Sequence, residues 1–234
     1  MKRTMFAAAA VTVLAATAQG AFAAGTGTIT VPGDFTKPLS DTRATGHYEV
    51  VGTGLRLWTE GSTGTDKVAE YVGTSTPLAD AGEPGLDYTS TTGGTPGTQL
   101  VVDFDGDKVQ DGILVGEPGT YGSDWWLNNA AAQFVKDGAP SHTGGSGSTS
   151  HGTLDQWRAA FPAASVTAFG FSLGSGVKGD GVLNAINFAG TRYTFGTAVI
   201  LTGKDECKGG GWKASTKPVF ANQGECVSSF ASAK

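Results

Sequence analysis

Asp103, Asp105, Asp107 and Asp111 place four carboxylates at positions 1, 3, 5 and 9 of one short segment. Calcium takes six to eight oxygen ligands, and acids crowded on a tight loop can supply most of them. Without a cation the four repel one another. The segment is no EF-hand, because position 12 is Leu114 and not glutamate. Lys108 sets a positive charge against any dication there. The same Asp-Gly spacing also suits a solvated hairpin turn.

A second group is Tyr121, Asp124, Trp125, Trp126 and Asn128. Adjacent residues of a strand point to opposite faces. One tryptophan can therefore fill a core while the other lies on the outer face. An indole face covers the apolar C–H patch of a sugar ring, and neighbouring amides and carboxylates bond its hydroxyls. The competing expectation is that a loop covers the second indole. Trp58 and Trp157 read as core residues.

Gly170-Phe-Ser172-Leu-Gly174 matches the elbow that presents a nucleophilic serine. That elbow must open a helix, yet Gly174, Gly176, Gly179 and Gly181 follow, and glycine disfavours one. No histidine follows residue 151. A triad drawn from His47, Asp103 and Ser172 has nothing to tie it together. Glycoside cleavage needs two paired carboxylates. The seven glutamates are scattered, and Glu117 has no acidic partner two or four residues away. His142 and His151 flank a Gly/Ser-rich segment, 144–152, and read as solvated loop residues with metal ligation as the alternative.

Cys207 and Cys226 are the only cysteines. In a secreted chain a lone pair most simply forms one disulfide. A zinc site would need nearby histidines, and all three lie far upstream. Lys2 and Arg3, the apolar run to residue 18 and Ala21-Phe22-Ala23 have the form of a secretory signal peptide over 1–23. No later run approaches the length of a membrane span. Residues 24–203 hold 9 basic and 18 acidic side chains, whereas 204–234 hold 5 and 3. So acidic a body argues against nucleic acid as partner.

The elements that position these groups are short strands. Glycine accounts for 37 of 234 residues, and charged residues for only 16%. Twelve phenylalanines and five tryptophans can build a core, so wholesale disorder is excluded. Alternating patterns predict strands at 28–31, 47–51, 55–59, 67–72, 99–104, 112–115, 165–173, 182–188 and 191–195. Ala189-Gly190 fits a two-residue hairpin. Thr153 with Gln156 predicts a capping box, and Leu154, Trp157 and Phe161 an apolar stripe on one short helix. The segment 77–97 reads as an extended surface loop. The fold class is all-β: an antiparallel β-sandwich of jelly-roll or concanavalin A-like type, over 24–203, with one short helix and a disulfide-closed tail over 204–234.

The stretch from Gly170 to Phe195 resembles the closing hairpin of jelly-roll, lectin-like secreted domains. The tail, Cys207-Lys-Gly-Gly-Gly-Trp212 with Asn222-Gln223-Gly224-Glu225-Cys226, is similar to a short tail on secreted actinobacterial β-sandwich proteins. The resemblance implies an extracellular or wall-associated location and the sandwich fold. The acidic segment resembles calcium-binding hairpin loops of integrin-type propeller blades, except that Lys108 stands where those carry glycine. The expected function is non-catalytic binding of carbohydrate or cell-wall polymer, with structural calcium at the acidic loop. The alternatives are a secreted polysaccharide hydrolase and a matrix protein without a small ligand.

Overall fold

The computed structural model describes residues 25–140 and 148–231. The segment 1–23, His142 and part of the Gly/Ser-rich segment lie outside the described residues. Among the described residues there are twelve strands: β1 Gly25–Val31, β2 Gly46–Val51, β3 Gly54–Thr59, β4 Lys67–Pro77, β5 Gly85–Gly93 and β6 Gly97–Asp103. They continue with β7 Gly112–Gly116, β8 Asp124–Leu127, β9 His151–Thr153, β10 Ser165–Gly174, β11 Gly179–Phe188 and β12 Thr191–Thr197. Four short helices accompany them: α1 Pro118–Tyr121, α2 Gln133–Gly138, α3 Leu154–Ala160 and α4 Gln223–Ala231.

The strands form two sheets, β1-β12-β11-β3-β2 with β5 also on β11, and β4-β10-β6-β7-β8-β9. Pairing is antiparallel except between β1 and β12. The two sheets pack face to face as a β-sandwich, as the strand pattern predicts. The period of two explains which residues meet. Leu55, Leu57 and Leu183 from one sheet join Leu100, Val102, Phe169, Phe171 and Leu173 from the other in one buried cluster. Phe169 stacks on Phe188 across the layers at 4.3 Å.

The expected helix is α3, and its capping box is complete. Thr153 N donates to Gln156 Oε1 at 2.9 Å, and Gln156 N donates back to Thr153 Oγ1 at 3.4 Å. Helices α1 and α2 carry no comparable stripe, whereas in α4 Cys226, Val227 and Phe230 pack together around the disulfide, a helical element beyond the one short helix that the sequence predicts. The segment 77–97 differs from the expected loop: it holds a 3-10 turn at Leu78–Asp80 and all of β5. Its Ser, Thr and Gly residues do not alternate with apolar ones, because the outer half of β5 is exposed. Backbone pairing to β11 holds it. Tyr88 lies over Gly181, whose Cβ would stand 2.3 Å from the tyrosine hydroxyl oxygen, so only glycine fits there.

Trp58 also departs from expectation. Leu55 and Leu57 point inward, so Trp58 points out. Its ring carries His47, stacked at 5.0 Å, and the Arg56 guanidinium at 4.5 Å. Trp157 is fully buried, as expected. Ala189 and Gly190 join β11 to β12 with φ of 48° and 73°, the left-handed pair of a type I′ turn. Alanine is strained in that region by about 1 kcal/mol. Ala189→Gly is therefore expected to raise stability by about 0.5–1 kcal/mol, read as a higher urea midpoint at unchanged m-value. An unchanged midpoint would contradict the turn assignment.

Cys207 and Cys226 form the disulfide, with Cα atoms 5.8 Å apart. Around it Phe220, Trp212, Val227 and Phe230 make a small cluster separate from the sandwich core. Closing a loop of about 20 residues stabilises such a tail by roughly 3 kcal/mol in the chain-entropy model.

Candidate functional site

The outer face of the β4-β10-β6-β7-β8-β9 sheet brings together residues far apart in sequence. Strand register sets Gln99 opposite Val115, Val115 opposite Trp126, and Trp126 opposite His151. On the other side Gln99 faces Gly170, which faces Tyr71. A Cβ at Gly170 would stand 2.1 Å from Glu70 O, so β4 approaches closely there, and the Tyr71 hydroxyl donates to Gln99 Oε1. Alongside this row the side chains are small: Ser172 faces Gly97. The result is a groove of about 250 Å³ lined by Lys67, Gln99, Glu117, Trp126, Asn128 and Ser172, among others.

Trp125 and Trp126 divide as the strand period requires. Trp125 is 6% exposed and belongs to the core, so its place among the expected ligand-binding residues is corrected. Trp126 is half-buried on the groove wall, and its Nε1 donates to Glu117 Oε2 at 3.0 Å. Tyr121 packs beside it with ring centroids 6.2 Å apart. Asp124 is directed elsewhere: its carboxylate meets His151 Nδ1 at 2.9 Å. His151 is buried rather than solvated. Asn128 reaches the groove while its Oδ1 accepts from Ile113 N at 2.9 Å.

The groove floor has spare hydrogen-bonding capacity. Ser172 is 6% exposed and Gln99 9% exposed. Gln99 Oε1 is engaged by Tyr71, and its amide nitrogen and Ser172 Oγ have no protein partner among the described residues. Neither atom is sealed from solvent, so both are open to an occupant of the groove. The charged lining groups are already engaged. Lys67 Nζ pairs with Asp41 at 2.7 Å, and Glu117 accepts from Trp126. Burial works to raise the Asp41 carboxyl, but Lys67 and Arg43 hold it below its ordinary range.

Gln99, Glu117, Ser172 and Lys67 escape sequence reasoning, because strand order rather than chain order makes them neighbours. Ser172 does appear there, as a nucleophile candidate, but it sits within β10 with no helix after it. His47 lies on the opposite outer face of the sandwich, and His151 is four strands away, about 19 Å at ordinary strand spacing. No triad forms from these residues.

Beside the groove a second hollow of about 290 Å³ shares Ile113 and Asn128 and is lined by Leu39, Tyr71, Val101 and Asp111. A third, of about 430 Å³, opens beside the 118–123 turn and is walled by prolines and glycines together with Tyr88, Thr95, Thr98, Ser123, Asp124 and Trp125. One of its lining residues, Tyr88, carries a buried hydroxyl with no hydrogen-bond partner among the described residues.

The acidic loop joins β6 to β7. Oxygens of Asp103, Asp105 and Asp111 lie within 4.8 Å of one another. Asp107 is not in this set. The acids also bond their own backbone. Asp103 accepts from Gly106 N and Lys108 N at 2.7 and 2.9 Å, and Asp107 from Val109 N at 2.7 Å. Asp111 accepts from Phe104 N at 2.7 Å. Burial, with the negative charge of Asp105, Asp103 and Asp107, raises the Asp111 carboxyl despite that bond. Three carboxylates supply part of a calcium shell, with backbone or water oxygens needed for the rest. Among the described residues no helix is long and apolar enough to cross a membrane.

No protein-family model, no curated protein and no solved structure matches this chain.

Proposed function

We propose that the protein is a secreted, non-catalytic carbohydrate-binding β-sandwich whose ligand lies in the groove on the outer face of the β4-to-β9 sheet. The observation that carries this reading is Trp126 standing over a floor where Ser172 Oγ and the Gln99 amide lack protein partners. An indole stacks on the C–H face of a sugar, and amides and hydroxyls bond its OH groups. Trp58 is the rival platform, but His47 and Arg56 already lie over its ring. Binding is favoured over cleavage because Glu117 is the one carboxylate on the groove lining. Asp111 lies six residues away along extended chain, about 20 Å, whereas glycosidase pairs stand about 5–10 Å apart.

A panel of immobilised polysaccharides tests the reading. At least one is expected to retain the wild type and Trp58→Ala but not Trp126→Ala. Retention that depends on Trp58 instead would overturn it.

Calcium at the β6–β7 loop would serve structure, cancelling repulsion among Asp103, Asp105 and Asp111. The folded loop holds the Asp111 proton more tightly than the unfolded chain does. Its contribution therefore grows as pH falls through the raised range and shrinks as pH rises. Asp111→Asn keeps the acceptor for Phe104 N and removes the charge. In chelator-treated protein at neutral pH it is expected to raise stability by about 0.5 kcal/mol, and to abolish any gain in melting temperature from millimolar calcium. A wild type indifferent to calcium would remove the metal role.

A further inference from the structure

We infer that the groove takes an internal stretch of an uncharged polysaccharide, laid across the strands, rather than a single terminal sugar or an anionic wall polymer. The inference rests on the carbohydrate-binding reading and specifies the ligand of that same site. Three observations carry it.

The first is extent. The lining residues come from β4 (Lys67), β10 (Ser172), β6 (Gln99), β7 (Val115) and β8 (Trp126), five strands in unbroken order. Four strand spacings make about 19 Å. Together with the adjoining hollow of about 290 Å³, which shares Ile113 and Asn128, the face has room for more than one sugar ring.

The second is the distribution of contacts. Trp126 and Ser172 stand on strands three spacings apart, about 14 Å. Between them Glu117 lies over Gly97, the cross-strand partner of Ser172, while accepting from Trp126 Nε1, so the three groups line one continuous groove. The stacking surface is at one end and the unpartnered hydroxyl toward the other, with the Gln99 amide between them. The neighbouring hollow, with Leu39, Tyr71 and Val101, widens the same face beyond Ile113 and Asn128 and gives a chain's substituents room.

The third is charge. An anionic polymer needs free cations, and the groove offers none. Lys67 is bound to Asp41, and Arg43 beside it is shared among Asp41, Thr65 O and Ser175 Oγ. Glu117 lies in the middle of the groove, over Gly97 and between Trp126 and Ser172, where it opposes a carboxylate-bearing unit. The remaining donors and acceptors are neutral, as are those of a hydroxyl-rich chain.

The experiment is calorimetric titration of the whole mature chain with two series of one to six units: neutral gluco-, manno- and xylo-oligosaccharides, and oligogalacturonates. In at least one neutral series affinity is expected to rise tenfold or more between two and four units and then level off. The galacturonates are expected to bind at least tenfold more weakly at equal length. Ser172→Ala, a change that removes one oxygen, is expected to weaken the tetramer about threefold to tenfold and leave the dimer unchanged. Binding of a neutral monosaccharide with no gain on lengthening, or tighter binding of the uronate series, overturns this inference while leaving carbohydrate binding intact. No binding by any member overturns both.

Discussion

Trp157→Ala is expected to cost 3–5 kcal/mol, a large part of the stability of a single domain. Trp157 is fully buried on α3, between the helix and the β-sandwich core. Its ring stacks on Phe161 with centroids 6.1 Å apart and meets Phe104 at 5.8 Å. Its Nε1 donates to the Trp125 carbonyl at 3.0 Å. Removing it opens a cavity in a close-packed interior and deletes its hydrogen bond to the Trp125 carbonyl. The melting temperature should fall by about 10 °C. Trp157→Phe restores much of the volume but not the hydrogen bond, and is expected to lie between the two. Urea unfolding checks all three; a loss below about 1 kcal/mol for the alanine variant would show that α3 is not part of the core. The effect also bears on the groove, because the Trp157 bond fixes the backbone of Trp125, next to Trp126.

Trp126→Ala is expected to lower carbohydrate affinity about tenfold to a hundredfold while lowering the unfolding free energy by no more than about 2 kcal/mol. The two effects separate because Trp126 is on the outer face, half-buried, whereas Trp125 fills the core. Trp125→Ala should do the reverse and destabilise the fold before it affects any ligand. Trp126→Phe keeps a π-face but loses the bond to Glu117 and is expected to retain part of the affinity. Loss of stability in Trp126→Ala comparable to that of Trp157→Ala would show that the indole is structural and not a platform.

The sequence made the alternation of β10 legible, because Phe169, Phe171 and Leu173 recur at every second residue. It showed α3 through Thr153 and Gln156, and the split of Trp125 from Trp126. Trp58 was open to the same argument: Leu55 and Leu57 already occupy the inward phase of its strand. β5 was not legible, since its Thr and Ser residues bury little and its order comes from backbone bonds to β11. The groove was least legible of all. Gln99, Glu117, Trp126 and Ser172 become neighbours only once β10 is set between β4 and β6, and no local pattern encodes that order. For the acidic loop, spacing identified the acids but not their directions. Hydrogen bonds to Gly106, Lys108 and Val109 turn Asp103 and Asp107 to different tasks.

The most direct measurement is an NMR titration of the protein with a polysaccharide fragment that it retains, following side-chain N–H resonances. The groove account predicts that the Trp126 indole and the Gln99 and Asn128 amides shift together and saturate at one concentration, while the Trp58 and Trp212 indoles stay in place. Shifts centred on Trp58, or on Trp212 and the disulfide tail, with Gln99 and Trp126 unmoved, would contradict it.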